Sequence, residues 1–369
     1  MWRQVGMRVL GRGEASREGP GGRASTRPRW WSSPGGPGFG VFVLRGVAQV
    51  VFLDSAWAGA VFGLALLTAD WRYGTYAVGG AVLGTGTAHL LGVALDRVRA
   101  GLEGFNSCLT ALCCAVFLDP GRLSTALLAA AACVVVTVVA AAVVRLLHLW
   151  ALPALTSPYC LLAGAITVAA PAFGRIWPQG AAGAALPHAA SGSTVLAPAD
   201  VVAAFFRNVA QVFFLNQWHA GALLLAGLFL ASRSAGWVAC AGSATGILTA
   251  WALGVPAARI TDGTMGYNAV LVALALCGVF LSPTAATLLY ALLGAATATT
   301  ITPALAHLLT PSGGHPLTWP FVLTTLGFLL AARSFPRVTG RQDPAAERPG
   351  PPTRSAAAGQ PQAGRIGSG

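Results

Sequence analysis

The chain alternates long apolar runs with short polar punctuation, and the length of each run limits what it can be. Residues 123–144 contain no charge, which exceeds the ~20 residues that carry a helix through a hydrocarbon core. Runs of the same kind predict spans at 56–69, 76–95, 102–118, 122–150 and 152–171, and again at 218–231, 237–253, 265–281, 285–309 and 317–332. Two further runs, 41–53 and 205–215, are about half a membrane long at ~1.5 Å per helical residue. Each holds an arginine and a glutamine, Arg45 with Gln49 and Arg207 with Gln211. They predict half-helices that enter the membrane and turn back. Such segments persist only where protein or a cavity covers their free backbone groups.

The two halves of this pattern are copies. Residues 45–52 read Arg-Gly-Val-Ala-Gln-Val-Val-Phe and residues 207–214 read Arg-Asn-Val-Ala-Gln-Val-Phe-Phe, an offset of 162. At that offset Gly59 meets Gly221, Gly80 and Gly84 meet Gly242 and Gly246, Gly104-Phe105-Asn106 meets Gly266-Tyr267-Asn268, and Thr156 meets Thr318. Glycines four apart allow membrane helices to approach closely. A half-helix plus five spans per copy is an odd crossing number, so the second copy enters from the opposite face. This predicts an all-α integral membrane protein of ten transmembrane helices plus two re-entrant half-helices in two inverted repeats (5+5). The working site is expected at the repeat interface near the midplane. The expected divisions are a basic disordered tail (1–40), the first repeat (41–171), a Gly/Ala/Pro/Ser-rich linker (172–204), the second repeat (205–333) and a second basic disordered tail (334–369).

Composition strengthens the membrane reading. Hydrophobic residues make up 55% of the chain and charged residues only 9%, against the roughly 25% charged of a soluble domain. The net charge of +12 would fit nucleic acid, but every basic residue is arginine and many lie in the tails. Seven arginines against Glu14 and Glu18 in the first tail, and six against Asp343 and Glu347 in the last, read as positive-inside flanks. Both termini are therefore expected in the cytoplasm, with no nucleic-acid partner. The start lacks the apolar core of a secretory signal, and its acidic residues and Gly-Pro clusters argue against a transit peptide. The cysteines (Cys108, Cys113, Cys114, Cys133, Cys160, Cys240 and Cys277) all lie in apolar stretches without metal-ligand spacing, so buried free thiols are expected.

The chemistry available inside the membrane is neutral. Apart from Arg45, Arg145, Arg207 and Glu103, the spans carry almost no ionisable group, whereas proton-coupled transporters place acids or histidines there. His89, His148, His219 and His307 have no histidine at the matching position, which makes them packing or helix-end residues. The polar groups that repeat are Gln49 and Gln211, Asn106 and Asn268, and Thr156 and Thr318. Phe52 follows Gln49 by three residues and Leu109 follows Phe105 by four, so each pair shares a helix face; Phe214, Tyr267 and Leu271 repeat the arrangement. Taken singly, Phe/Leu pairs are packing and an amide ties two helices together. Their recurrence in register points instead to a narrow apolar slot edged by amide and hydroxyl oxygens. That slot suits a small, flat, uncharged solute rich in N–H donors.

The motifs Arg-Gly-Val-Ala-Gln-Val-Val-Phe, Gly-Leu-Glu-Gly-Phe-Asn and Leu-Pro-Ala-Leu-Thr-Ser-Pro-Tyr, each with a second copy, resemble the urea transporter family over about residues 41–333. The resemblance implies a channel-like urea permease of the cell (plasma or inner) membrane, a homotrimer in which each subunit has its own pore, with no cofactor and no metal. On the same basis Gln49 and Gln211 would bind urea amides at the two ends of a filter. Phe52 with Phe105, and Phe214 with Tyr267, would form aromatic slots, narrowed by Val50, Val212, Leu109 and Leu271. Thr156 and Thr318 would flank the constricted middle. This chain departs from the family at Asp54-Ser55-Ala56 and Asn216-Gln217-Trp218, where Asn-Asn-Pro is common. Ser107 and Ala269 stand where a glycine is usual, Tyr159 replaces a phenylalanine, and the second threonine signature, Gly-His-Pro-Leu-Thr-Trp-Pro-Phe, has its proline shifted by one.

Two other readings remain at the level of sequence. One is a pore for short amides or ammonia, although ammonium channels use paired pore histidines and this chain has none. The other is an integral-membrane enzyme. It would need a nucleophile, metal cluster or paired carboxylates, and Asp96 and Glu103 have no acidic counterparts in the second copy. The expectation is therefore a protein that is not an enzyme.

Overall fold

The computed structural model describes residues 38–178 and 191–338, and every regular element among them is helical. The first copy forms α1 (Phe39–Ala48), which tightens into a 3-10 turn over Gln49–Val51, then α2 (Ala56–Ala69), α3 (Trp71–Leu90), a short α4 (Leu95–Arg99), α5 (Phe105–Phe117), α6 (Leu123–His148) and α7 (Ser157–Ala169). The second forms α8 (Pro198–Ala210) with its 3-10 turn Gln211–Phe213, α9 (Trp218–Ala231), α10 (Arg233–Ala252), a short α11 (Ala257–Thr261), α12 (Tyr267–Ala273), α13 (Ala285–Leu309) and α14 (Trp319–Ala332). The expected tails lie outside the described residues except at 38–40 and 334–338, as does 179–190 of the expected linker.

The expected bounds of α2, α9 and α13 agree to the residue, and the differences elsewhere have local causes. Asp70 reads as the close of a span, but its Oδ1 accepts from the Arg72 N–H at 2.8 Å, so it opens α3 five residues before the expected start. Ser232 does the same for α10, accepting from Ala235 N at 3.3 Å. The second half-helix starts at Pro198 rather than Phe205, because proline in a first turn lacks only an N–H that the helix would leave free. By length and apolarity two helices, Leu123–His148 and Ala285–Ser312, can cross a membrane alone. The half-helices join α2 and α9 at bends of 77° and 75°. The remaining apolar helices are shorter than the runs that contain them. Residues 101–104 and 152–156 run as turns, with Gly101 and Leu155 at φ of 76° and 51°.

The backbone repeats as closely as the sequence. Left-handed φ falls on Phe52 (64°) and Phe214 (58°), on Leu155 (51°) and Leu317 (45°), on Ala151 (50°) and Gly313 (74°), and on Gly101 (76°) and Gly263 (80°). Bulky residues seldom adopt this conformation, which costs on the order of 1–3 kcal/mol unless the surroundings enforce it. Contacts between the copies come in exchanged pairs. The Phe52 and Phe321 rings lie 6.0 Å apart, and their counterparts Phe214 and Tyr159 lie 6.5 Å apart. Contacts exchanged in this way are the signature of an approximate two-fold axis. Helix α2 packs on its own counterpart α9, so that axis passes between them.

One helix breaks the register. After Ala273, α12 widens into a π-helix over Leu274–Phe280, and the Leu281 N–H reaches back five residues to Leu276 O. In the first copy Leu118 N reaches back four, to Cys114 O. The extra residue sets Phe280 where Phe117 stands. Phe280 meets Phe52 edge-on at 6.2 Å, and Phe117 meets Phe214 edge-on at 5.6 Å. The following turn then loses a residue, Pro120-Gly121-Arg122 becoming Pro283-Thr284, and α13 resumes the offset of 162.

The repeated glycines mark the closest approaches. A Cβ on Gly80 would lie 2.5 Å from Ser107 O, and one on Gly242 3.0 Å from Ala269 O, so α3 and α10 rest against α5 and α12. A Cβ on Gly59 would collide with Leu44 O, and one on Gly221 with Phe206 O. Gly59→Ala and Gly221→Ala should each lower thermal stability in detergent by at least ~1–3 kcal/mol, the usual cost of overpacking. Gly79→Ala, with nothing within 4 Å, should leave the unfolding temperature unchanged or raise it.

Candidate functional site

The site is built where two short helices end. Helix α4 stops at Arg99 and Gly101 turns the chain, which leaves its last carbonyls without helical partners. Two side chains from α1 and its 3-10 turn supply the donors. Arg45 Nη1 donates to Arg99 O at 2.9 Å and Gln49 Nε2 to Ala100 O at 2.8 Å. The second copy repeats both bonds, with Arg207 Nη1 on Thr261 O and Gln211 Nε2 on Asp262 O, each at 3.0 Å. Only the amide nitrogen can donate to a carbonyl, so each carboxamide oxygen stays outside these two bonds.

The residues that depart from the family pattern have local partners. Asp54 Oδ1 lies 3.1 Å from Arg45 Nε, and Ser55 Oγ accepts from Ala58 N at 3.3 Å, capping α2. Ser107 fits under Gly84 and donates to Cys133 O at 3.1 Å, so it serves the contact of α5 with α3 and α6.

Beyond each glutamine the left-handed Phe52 and Phe214 turn their rings toward the other copy. Val50, Phe52, Leu109, Val212, Tyr267 and Leu271 fall in one buried cluster, and Phe105 and Phe214 pack against it. The structure thus draws eight of the twelve sequence candidates into one apolar body. Phe105 and Tyr267 sit at the first positions of α5 and α12. The ring contacts of Phe52 are to Phe280 and Phe321 of the other copy, which places aromatic neighbours at the site that the sequence did not single out.

Asn106 and Asn268 belong to the scaffold. Asn106 Oδ1 accepts from Tyr159 N and Asn268 Oδ1 from Phe321 N, both at 3.3 Å, in the first turns of α7 and α14. The helices they fix carry the threonines. Thr156 Oγ1 and Thr318 Oγ1 lie 2.6 Å apart, a residue touching its own repeat counterpart, and each is only 3% exposed. Cys160 Sγ lies 3.0 Å from Thr318 Oγ1, and the Tyr267 hydroxyl donates to Leu317 O.

Sequence reasoning passed over Phe117, Phe280, Cys160 and His315. Phe280 escaped because the π-helix moves it off the fixed offset, and Phe117 lost its counterpart with it. The His315 ring stacks on Phe117 at 4.0 Å and 23° in the loop before α14. Burial holds its imidazole below the ordinary value of 6.5.

The family model described as "Urea transporter" matches residues 41–333. The chain is 27% identical over 302 residues to "Urea transporter 1" of Ovis aries, covering 80% of this chain and 78% of that protein. It is 28% identical over 302 residues to the Capra hircus protein and 27% over 301 residues to the Rattus norvegicus protein of the same name, with the same coverage.

Two outcomes follow from the scaffold bonds and the buried imidazole. Asn106→Ala or Asn268→Ala strands a buried N–H in the first turn of α7 or α14 and should cost about 1–3 kcal/mol, read as a fall in unfolding temperature. For His315 the folded pKa lies below the unfolded one, so stability is constant above the unfolded value and is lost as pH falls through it. Lowering pH from about 7.5 to about 5.5 should therefore reduce the melting temperature of the native protein more than that of His315→Phe.

Proposed function

This chain belongs to the urea transporter family, and on that premise we propose that it permeates urea passively through a pore between its two repeats. The observation that carries this reading is the matched anchoring of Gln49 and Gln211. Each gives its amide nitrogen to a carbonyl at the end of a five-residue helix and retains its oxygen, in the same way in both copies. Urea is planar, with four N–H donors at its edge. The rings of Phe52, Phe105, Phe214 and Tyr267 contact its faces while Val50, Val212, Leu109 and Leu271 set the width. The glutamine oxygens, and the Thr156 and Thr318 hydroxyls between them, replace its water.

In this reading each repeat contributes a re-entrant half-helix and five spans. These are α2, α3, α5, α6 and α7 in the first repeat, and α9, α10, α12, α13 and α14 in the second, which enters from the opposite face. The exchanged contacts support this arrangement, as does the burial of the short helices α5 and α12, whose ends meet protein rather than lipid. Three such subunits form a homotrimer in the cell membrane, each with its own pore, and the arginine-rich tails keep both termini in the cytoplasm. Catalysis finds little support. Glu103 is engaged by Arg97 Nε at 2.7 Å, and Asp96 is exposed.

Stopped-flow uptake into proteoliposomes tests the proposal. The purified protein should carry urea well above empty vesicles, with no dependence on an imposed proton gradient. Gln49→Leu and Gln211→Leu should each reduce flux about tenfold or more, the factor for one lost acceptor in a dry site. Unchanged flux in both variants overturns the assignment of the glutamines. Stronger competition from methylurea or acetamide than from urea itself would shift the substrate to longer amides.

A further inference from the structure

A buried hydroxyl without a partner calls for a reason, because stranding one costs stability. The Tyr159 hydroxyl is such a group. Tyr159 is 0% exposed, and its oxygen finds no hydrogen-bond partner among the described residues. The Cys113 thiol lies beside it, but a thiol is only a weak donor and a weak acceptor. At the offset of 162, Tyr159 meets Phe321 and Cys113 meets Ala275. The first copy thus carries a polar pair where the second carries an apolar one.

The surroundings of this hydroxyl are the aromatic residues of one end of the path. The Tyr159 ring meets the Phe214 ring edge-on at 6.5 Å, and Tyr267 is close enough to act on the hydroxyl electrostatically. Leu109 and Cys113 are four residues apart on α5 and share a face. The neighbouring donors at this end are committed. The Gln211 amide nitrogen donates to Asp262 O at 3.0 Å, and the Tyr267 hydroxyl donates to Leu317 O. Of these three side chains, Tyr159 keeps its proton. At the opposite end Phe52 meets Phe321 at 6.0 Å, and neither Phe321 nor Phe105 carries a hydroxyl.

A planar amide brings a carbonyl oxygen into the slot along with its N–H groups, and that oxygen also loses its water. The glutamine oxygens accept and cannot donate. We propose that the Tyr159 hydroxyl donates to the carbonyl oxygen of the permeating solute at the Phe214 end, and that it makes this end select a carbonyl over a thiocarbonyl. The proposal rests on the pore reading above. The two ends of the path are then chemically unequal, since one pairs its rings with a free donor and the other has rings of phenylalanine alone. The hydroxyl goes unsatisfied in the empty protein and gains its bond when the solute arrives.

The experiment is uptake of trace labelled urea into proteoliposomes, blocked by unlabelled urea or by thiourea, whose sulfur accepts hydrogen bonds more weakly than oxygen. Tyr159→Phe should raise the half-blocking concentration of urea about three- to tenfold, the factor for one lost donor, and that of thiourea about twofold or less. Its melting temperature without solute should be unchanged or higher, because the phenylalanine removes a buried hydroxyl that had no partner. Cys113→Ala should shift neither half-blocking concentration beyond about twofold. An unchanged value for urea, or equal shifts for urea and thiourea, overturns the proposal. So does a lower melting temperature in Tyr159→Phe, which would mean that the hydroxyl serves the fold. A Cys113→Ala variant that reproduces the Tyr159→Phe shifts overturns it as well. These failures leave the pore reading intact as long as the glutamine variants still lose flux. If the native protein carries no urea above empty vesicles, the pore reading itself fails.

Discussion

Carbonyl oxygens left free at the end of a short helix in an apolar interior must find donors, and the rest of this structure is arranged around meeting that need twice. Helices α4 and α11 are five residues long and end on a glycine turn. They lack the length to hide their last carbonyls, and an unsatisfied one costs about 1–3 kcal/mol. An arginine and a glutamine one turn apart on the neighbouring half-helix fit two consecutive carbonyls. Once both bonds form, α1 and α8 each have a fixed position and rotation against the short helix beside them. Phe52 and Phe214 then turn the chain through left-handed backbone, and their rings cross to the other copy.

The two-fold relation makes each of these local solutions serve both copies. Because contacts exchange between them, a ring that closes the packing at one end has a counterpart closing it at the other, and a residue on the axis can meet its own image. Thr156 and Thr318 do so. A polar pair on an axis lined by apolar residues is satisfied mainly by itself.

How much of this was legible in the sequence depended on whether the signal was local or relative. The repeat, the glycines of close approach and the paired glutamines all follow from run length and fixed offset, and α2, α9 and α13 were placed to the residue. Helix starts were misplaced where a charge had two readings. Asp70 closes one helix and opens the next, and only the geometry of its carboxylate distinguishes the two roles. Asn106 and Asn268 recur as regularly as the glutamines, yet they hold helix ends, because recurrence reports symmetry rather than role. The partners of Phe52 and Phe214 were beyond reach, since they come from the other copy and one of them lies off the common offset.

The π-helix at Leu274–Phe280 shows what the two copies share despite unequal local length. The second copy has one residue more inside a buried helix and one fewer in the turn that follows, while Phe280 stands where Phe117 does. The regularity of the helix differs between the copies, and the aromatic edge against the facing phenylalanine is the same in both. Homologous chains that lack the bulge should therefore keep the longer turn, because length lost at one point must be restored at the other before α13 can begin.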